Sequence, residues 1–216
     1  KSTVHRMLSA MVTRGYVRKD EETNKYRMTT RLYALAGQVV ENLDLVQIAR
    51  GPMERLRDEV GETVHLVVPD GSDIVYVHKV EAENSAIRMF SRIGMRRPMY
   101  CTGVGKAILA SLTDKEVDAI WEQSDIQPYT QHTIVTRERL QDVLEAIRRR
   151  GYAFDNEENE LGVRCIATAI YDYTGRACGA ISLSAPLMRM TDTYLAQLQP
   201  HLMAARDRIS RDMGWR

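Results

Sequence analysis

The sequence predicts an α+β protein: a small basic helix-and-hairpin unit, then a larger domain with a mainly antiparallel sheet flanked by helices. Three observations carry this. Apolar residues recur at helical spacing in the first dozen residues and again over 45–60, 137–150 and 191–213. Between those stretches the period falls to two, in paired runs around short turns, the pattern of hairpins. Charge is uneven as well. Residues 1–40 hold eight Lys and Arg against three Asp and Glu, a net of +5, whereas the whole chain carries only +1. The expected divisions are 1–28, 29–43 and 44–216.

The first unit opens with a helix. Val4, Leu8 and Met11 form its apolar stripe, and Gly15 ends it. Lys1, Ser2, Thr3, His5 and Arg6 supply the polar groups at its start, the kinds of group that reach phosphates and base edges in a major groove. Tyr16–Arg18 and Lys25–Arg27 follow as short strands around the polar turn 20–24. A recognition helix followed by a small basic hairpin is the back half of a winged helix-turn-helix. The competing reading is an amphipathic helix and hairpin whose charges are merely solvated. A basic end on a slightly acidic body is what counterion-release binding to DNA needs, which favours the first. On that reading, the first helices of the DNA-binding unit are expected ahead of Lys1.

Thr29 or Thr30 can cap a second helix, with Leu32, Leu35, Ala36, Val39 and Val40 on one face. Little neighbouring sequence can cover that face, so it is read as a linker and dimer helix. A further helix is expected over 45–60, with Ile48, Ala49, Met53 and Leu56 inward, kinked or divided at Pro52 and closed by Gly61. Thr63–Val68 and Ile74–Val80 read as a hairpin around Pro69–Ser72, and Ile87–Phe90 as a third strand. Helices are then expected over 103–112, 114–122 and 137–150. Gly151–Phe154 restarts β structure, Cys165–Tyr171 and Ala177–Ser184 flank a turn at 173–176, and a closing helix runs over 191–213, bent at Pro200.

Composition removes several classes of function. No stretch of 18 apolar residues exists to span a membrane, and the basic, amphipathic start is unlike a signal peptide. Cys101, Cys165 and Cys178 are odd in number and lack CxxC spacing, which points to a reducing cytoplasm without disulfides or a cysteine zinc site. No metal site and no cofactor are expected.

Thr102-Gly103-Val104-Gly105-Lys106 invites a phosphate-loop reading, but the GxxxxGK[ST] spacing is missing and Ala107 replaces the magnesium-binding hydroxyl. It reads instead as a loop-to-helix turn, either structural or exposing amides at Gly103 and Val104 that suit a small carboxylate. Asp155, Glu157, Glu158 and Glu160 form an acidic run. The glutamates are read as a solvated loop, and Asp155, following the Tyr152–Phe154 strand, as a residue at a sheet edge or pocket mouth, able to accept hydrogen bonds from sugar hydroxyls. Cys165 as a nucleophile would need a base, and the five histidines form no motif. Ser182 and Ser184 alternate along one strand, so both hydroxyls face one way and need polar partners, which a bound ligand would supply. Arg88, Arg92, Arg96 and Arg97 crowd one segment, either as surface charge or, at Arg97, as a partner for a carboxylate.

The chain resembles the IclR family of bacterial transcription regulators over essentially its whole length. The carriers, in order, are Lys1–Arg6 with Gly15–Val17, Gly61–Leu66, Thr102–Ala107, Asp155–Ala167 and Ala180–Pro186. The resemblance implies an N-terminal winged helix, a linker helix and a GAF-like effector domain, working as a homodimer or dimer of dimers. It places Gly103 and Val104 at the effector, gives Asp155 an effector contact, and sets Cys165 at the pocket wall. Arg97 departs from it, standing where the family pocket is often apolar. Arg88–Gly94 is most similar to the branch responding to sugar acids such as 2-keto-3-deoxygluconate, and Met89 joins the pocket on that reading.

The expected function is therefore a DNA-binding transcriptional repressor controlled by a small organic or sugar acid. The partners are operator DNA and an effector held by Met89, Arg97, Gly103, Val104, Asp155, Cys165, Ser182 and Ser184. The alternatives are a hydrolase or transferase using the acidic loop and Cys165, and a ligand sensor that does not bind DNA.

Overall fold

A computed structural model describes residues 2–32, 44–82 and 91–216. The chain divides into two compact units, Lys1–Asp44 and Leu45–Arg216.

In the first unit, helix α1 spans Ser2–Thr13. Gly15 ends it with a positive φ of 72°, and the Tyr16 amide reaches back to the Met11 carbonyl, closing the helix as a left-handed cap does. Strands β1 (Val17–Lys19) and β2 (Tyr26–Met28) form the hairpin, each one residue later than the alternation suggested. The cap explains the shift, because the 15–16 peptide belongs to the helix end. Of the predicted stripe, Leu8 is half-buried while Val4 and Met11 are exposed. Thr3, His5 and Arg6 are exposed too. Lys1 and the side chain of Ser2 lie outside the described residues, as does the linker helix beyond Leu32, including Leu35 and Val39.

The second unit begins with α2 (Leu45–Val60), which buries Ala49, Pro52, Met53 and Leu56. It is one helix. Pro52 removes one backbone donor but is itself buried, so packing outweighs its cost and the expected division is absent. Strands β3 (Thr63–Asp70) and β4 (Asp73–Val80) pair as expected. The stretch proposed as a third strand, 87–90, lies outside the described residues, and an unforeseen strand β5 (Arg96–Pro98) sits on the edge beside β4. A proline is tolerated there because an edge strand can spare a donor.

Helices α3 (Gly103–Ala110), α4 (Asp114–Gln123) and α5 (Arg137–Arg150) follow, each begun by a threonine cap: Thr102, Thr113 and Thr136. Then come β6 (Ala153–Asn156), β7 (Val163–Tyr171), β8 (Ala177–Pro186) and α6 (Asp192–Asp212), which runs through Pro200 as one helix.

The six strands form one antiparallel sheet in the order β5-β4-β3-β8-β7-β6. Val67, Ala153, Ala167, Ala169 and Ala180 share one face and pack with Val104, Ala107 and Ile108 of α3 and with Leu140, Leu144 and Ile147 of α5. The alternate residues Leu66, Ile166, Ile181 and Leu183 point to the opposite face, where α2 and α6 lie. The small alanines let α3 approach the sheet closely.

Candidate functional site

The register of the sheet assembles the site. Asp155 pairs with Cys165, Cys165 with Ser184, and Ser184 with Thr63, a single row across β6, β7, β8 and β3. One step further along, Ala153, Ala167, Ser182 and His65 form a second row on the same face. Asp155 thus lies inside a strand, not after one, because β6 extends to Asn156.

A cavity opens beside the first row. His65, Tyr76, Ser91, Met95, Arg97, Asp155, Asn159, Glu160, Val163, Cys165 and Ser184 line it. Sequence reasoning foresaw Arg97, Asp155, Cys165 and Ser184 and missed the others. His65 could have been found, since Thr63, His65 and Val67 alternate on one strand face.

Ser184 Oγ lies 3.2 Å from His65 Nδ1 and 3.4 Å from Ser182 Oγ, and His65 Nε2 lies 2.7 Å from Ser91 Oγ. The serine hydroxyls therefore have protein partners, contrary to the expectation that a ligand would be needed to satisfy them. Burial, and then the Lys79 charge, pull the His65 pKa down to about 3, so the ring is neutral near pH 7. One nitrogen donates and the other accepts.

Asp155 is buried. Its Oδ1 accepts from the amides of Glu158 at 2.8 Å and Asn159 at 3.4 Å. Burial raises its pKa to about 7, Lys106 opposes the rise and Glu158 adds to it. Burial also pushes the Tyr76 phenol and the Cys165 thiol well above their ordinary values. A neutral thiol beside a histidine that is a very weak base is unsuited to nucleophilic catalysis near neutrality. Among the described residues, no group of His, Cys, Asp and Glu could hold a metal ion.

Two cavity groups stand unsatisfied. Arg97 is half-buried and makes no ion pair among the described residues; its one hydrogen bond is 3.4 Å long, to the Arg96 carbonyl. The buried Oδ1 of Asn159 has no hydrogen-bond partner among the described residues. Arg96, by contrast, is exposed and pairs with Asp70 and Asp73.

Gly103 and Val104 are buried and do not line the cavity, which corrects the exposed-amide reading. Gly103 packs under Asp155 and Ala167, where an added Cβ would lie 3.3 Å from the Asp155 nitrogen. The Gly105 amide is taken by Thr102 Oγ1 and the Lys106 amide by the Thr102 carbonyl, so the cap consumes these donors. Ser182 likewise stands behind Ser184, and Met89 lies outside the described residues. The glutamate loop is corrected too. Glu157 is half-buried and Glu160 exposed, but Glu158 is buried in an ion pair with Lys106, itself 1% exposed.

These ionisations predict a pH effect. Asp155 has a folded-state pKa of about 7 against 3.8 for an ordinary aspartate, so its contribution is fully present below pH 3.8 and is lost as pH rises to 7. His65 runs the other way, its contribution present above 6.5 and lost as pH falls toward 3. The two offset each other over the shared window. In Asp155→Asn only the His65 contribution remains, so urea denaturation should show stability climbing more steeply between pH 4 and 7 than in the parent. Parallel profiles would show that Asp155 does not titrate there.

The family described as bacterial transcriptional regulator IclR C-terminal matches residues 37–211, and the IclR helix-turn-helix domain matches residues 1–21. The chain is 39% identical to the HTH-type transcriptional regulator KdgR of Escherichia coli K12, over all of this chain and 81% of that protein. It is 32% identical to the acetate operon repressor of Salmonella typhimurium, over 99% of this chain and 78% of the other. Among solved structures, the Thermotoga maritima IclR superposes with a TM-score of 0.77 at 33% identity, covering 99% of this chain and 86% of that one. The Agobacterium tumefaciens repressor BlcR superposes with a TM-score of 0.84 at 28% identity, covering all of this chain and 85% of that one.

Proposed function

The chain belongs to the IclR family of bacterial transcriptional regulators, and from that premise we propose that it is a repressor whose operator affinity is set by a small sugar acid or hydroxy-keto acid in the Asp155 cavity. The observation that carries the proposal is that two residues lining that cavity, Arg97 and Asn159, carry side-chain polar groups left without partners among the described residues. The Arg97 guanidinium has no ion-pair partner among the described residues, and a carboxylate would complete it through two parallel hydrogen bonds. Asn159 Oδ1 is a buried acceptor without a donor, and a ligand hydroxyl would supply one. Asp155 and Ser184 add acceptors for further hydroxyls, while Cys165 and Tyr76 shape the wall. A carboxylate at one end and hydroxyls along the body describe a sugar acid. Ser182 acts through Ser184, and Gly103 supports Asp155 from beneath.

Thr3, His5 and Arg6, exposed on α1, are the groups offered to operator DNA, with Lys1 and Ser2 preceding them. The helix expected over 29–43 links reader to sensor and pairs two chains, so that the effector favours one dimer geometry over another. Action on DNA places the protein in the cytoplasm. Among the described residues, no helix is long and apolar enough to cross a membrane.

Calorimetry against a panel of sugar acids and keto acids tests the site. Ser184→Ala should lose about 0.5–1.5 kcal/mol of ligand affinity, the worth of one neutral hydrogen bond. Arg97→Gln should lose more, since an ionised partner makes the stronger bond, and so should Asp155→Ala when measured above pH 7, where the carboxylate is ionised. Undiminished binding in all three variants would move the effector elsewhere.

A further inference from the structure

The chain carries a second cavity that the effector reading does not use. It lies between α5 and the outer edge of β6, with a volume of about 300 Å³. Phe154 and Asn156 line it from the side of β6 opposite Asp155. Val143 and Ala146 of α5, with Ile134, make an apolar wall.

Its charge is unbalanced. Lys106 and Glu158 meet at the floor and neutralise each other. Arg139 and Arg150 then leave a positive surplus. Arg139 is exposed, with its nearest carboxylate, Asp142, 4.0 Å away. Arg150 makes no ion pair among the described residues. Its Nε donates to the Tyr152 carbonyl at 2.6 Å, and its guanidinium lies 4.6 Å from the centre of the Phe154 ring and 5.1 Å from that of Tyr152. Burial lowers its pKa, the sign of a cation partly stripped of water. A half-desolvated guanidinium held over the Phe154 and Tyr152 rings, beside an apolar-walled pocket, is short of one anion.

We propose that this cavity is a second ligand site, taking a small anion carried on a flat apolar body, such as an aromatic carboxylate. The carboxylate would meet Arg150, the ring would lie against Ile134 and Val143, and Arg139 at the far rim would add its charge to the attraction. The site stands apart from the Asp155 cavity, so either can be correct without the other.

Benzoate is the probe, titrated into the protein by calorimetry and followed by ligand-observed NMR. The expected result is saturable binding of one benzoate per chain, unaffected by Ser184→Ala. Arg150→Gln should weaken it about tenfold, the loss of one charge-assisted contact. Should Arg150→Gln fold poorly for want of its stacking, Arg139→Gln at the exposed rim reads the same site, with an expected severalfold weakening. Inorganic phosphate at equal concentration should fail to displace the probe. The proposal is overturned by the absence of saturable binding, by full affinity in the folded arginine variants, by loss of binding in Ser184→Ala, or by displacement with phosphate.

Discussion

Lys106→Met should destabilise the protein by about 3–5 kcal/mol, because it strands one half of a buried ion pair. Lys106 is 1% exposed and reaches across from α3 to Glu158, itself buried, in the loop after β6. With the ammonium gone, the Glu158 carboxylate would remain beside Asp155 with its nearest countercharge removed. Lys106 is also the group that holds the Asp155 pKa down, so the variant should push that pKa above its present value of about 7. Glu158 is further tied to the site through its amide, which donates to Asp155 Oδ1. The loss should be largely recovered in Lys106→Met/Glu158→Met, since an apolar pair of similar volume replaces an ion pair at little cost. Urea denaturation reads both effects. A single variant within about 0.5 kcal/mol of the parent, the range of ordinary surface substitutions, would mean the pair is neither buried nor made.

Gly105→Ala carries the second large effect, of about 1–3 kcal/mol or more from overpacking. An added Cβ would lie 2.4 Å from both the Cα and the carbonyl oxygen of Met99, and 2.6 Å from Thr102 Oγ1. Two of those atoms are backbone and cannot swing aside. The third is the hydroxyl that caps α3, so relief of the clash costs the cap as well. Because Gly103, two residues earlier, supports Asp155, a displaced α3 should weaken effector binding along with stability. A variant as stable as the parent would show that the segment before α3 can yield.

Gly105 also shows what sequence reading catches and what it misses. The Thr102–Lys106 stretch stands out in the sequence as a loop-to-helix turn, and it is one. Its glycine is needed for the close approach of Met99, a contact decided by packing and invisible in local spacing. The periodic helices and the β3–β4 hairpin were legible because each is specified by its own residues. The pairing of β3 with β8 joins residues 63–67 to 180–184, and no local pattern announces it. That pairing brings His65 to Ser184. For the same reason Glu158 read as a solvated acid. Nothing nearby in sequence marks Lys106 as its partner, although a lysine in an otherwise apolar helix, Gly103–Ala110, is a signal that a buried countercharge must exist. Asp155, Cys165 and Ser184 line one cavity; strand alternation singles out Ser184, whereas Asp155 and Cys165 stand out mainly through family likeness.

Control of DNA binding by a small acid in the Asp155 cavity requires that the two sites be energetically coupled, and coupling is what must be measured. An operator fragment selected from random DNA, labelled and followed by fluorescence anisotropy, gives operator affinity with and without a saturating sugar acid identified by calorimetry. The expected result is a change of about 5-fold to 150-fold, the usual range for coupled sites, and no change in Asp155→Ala at the same ligand concentration. Operator affinity that stays the same while calorimetry shows the cavity filled would contradict it.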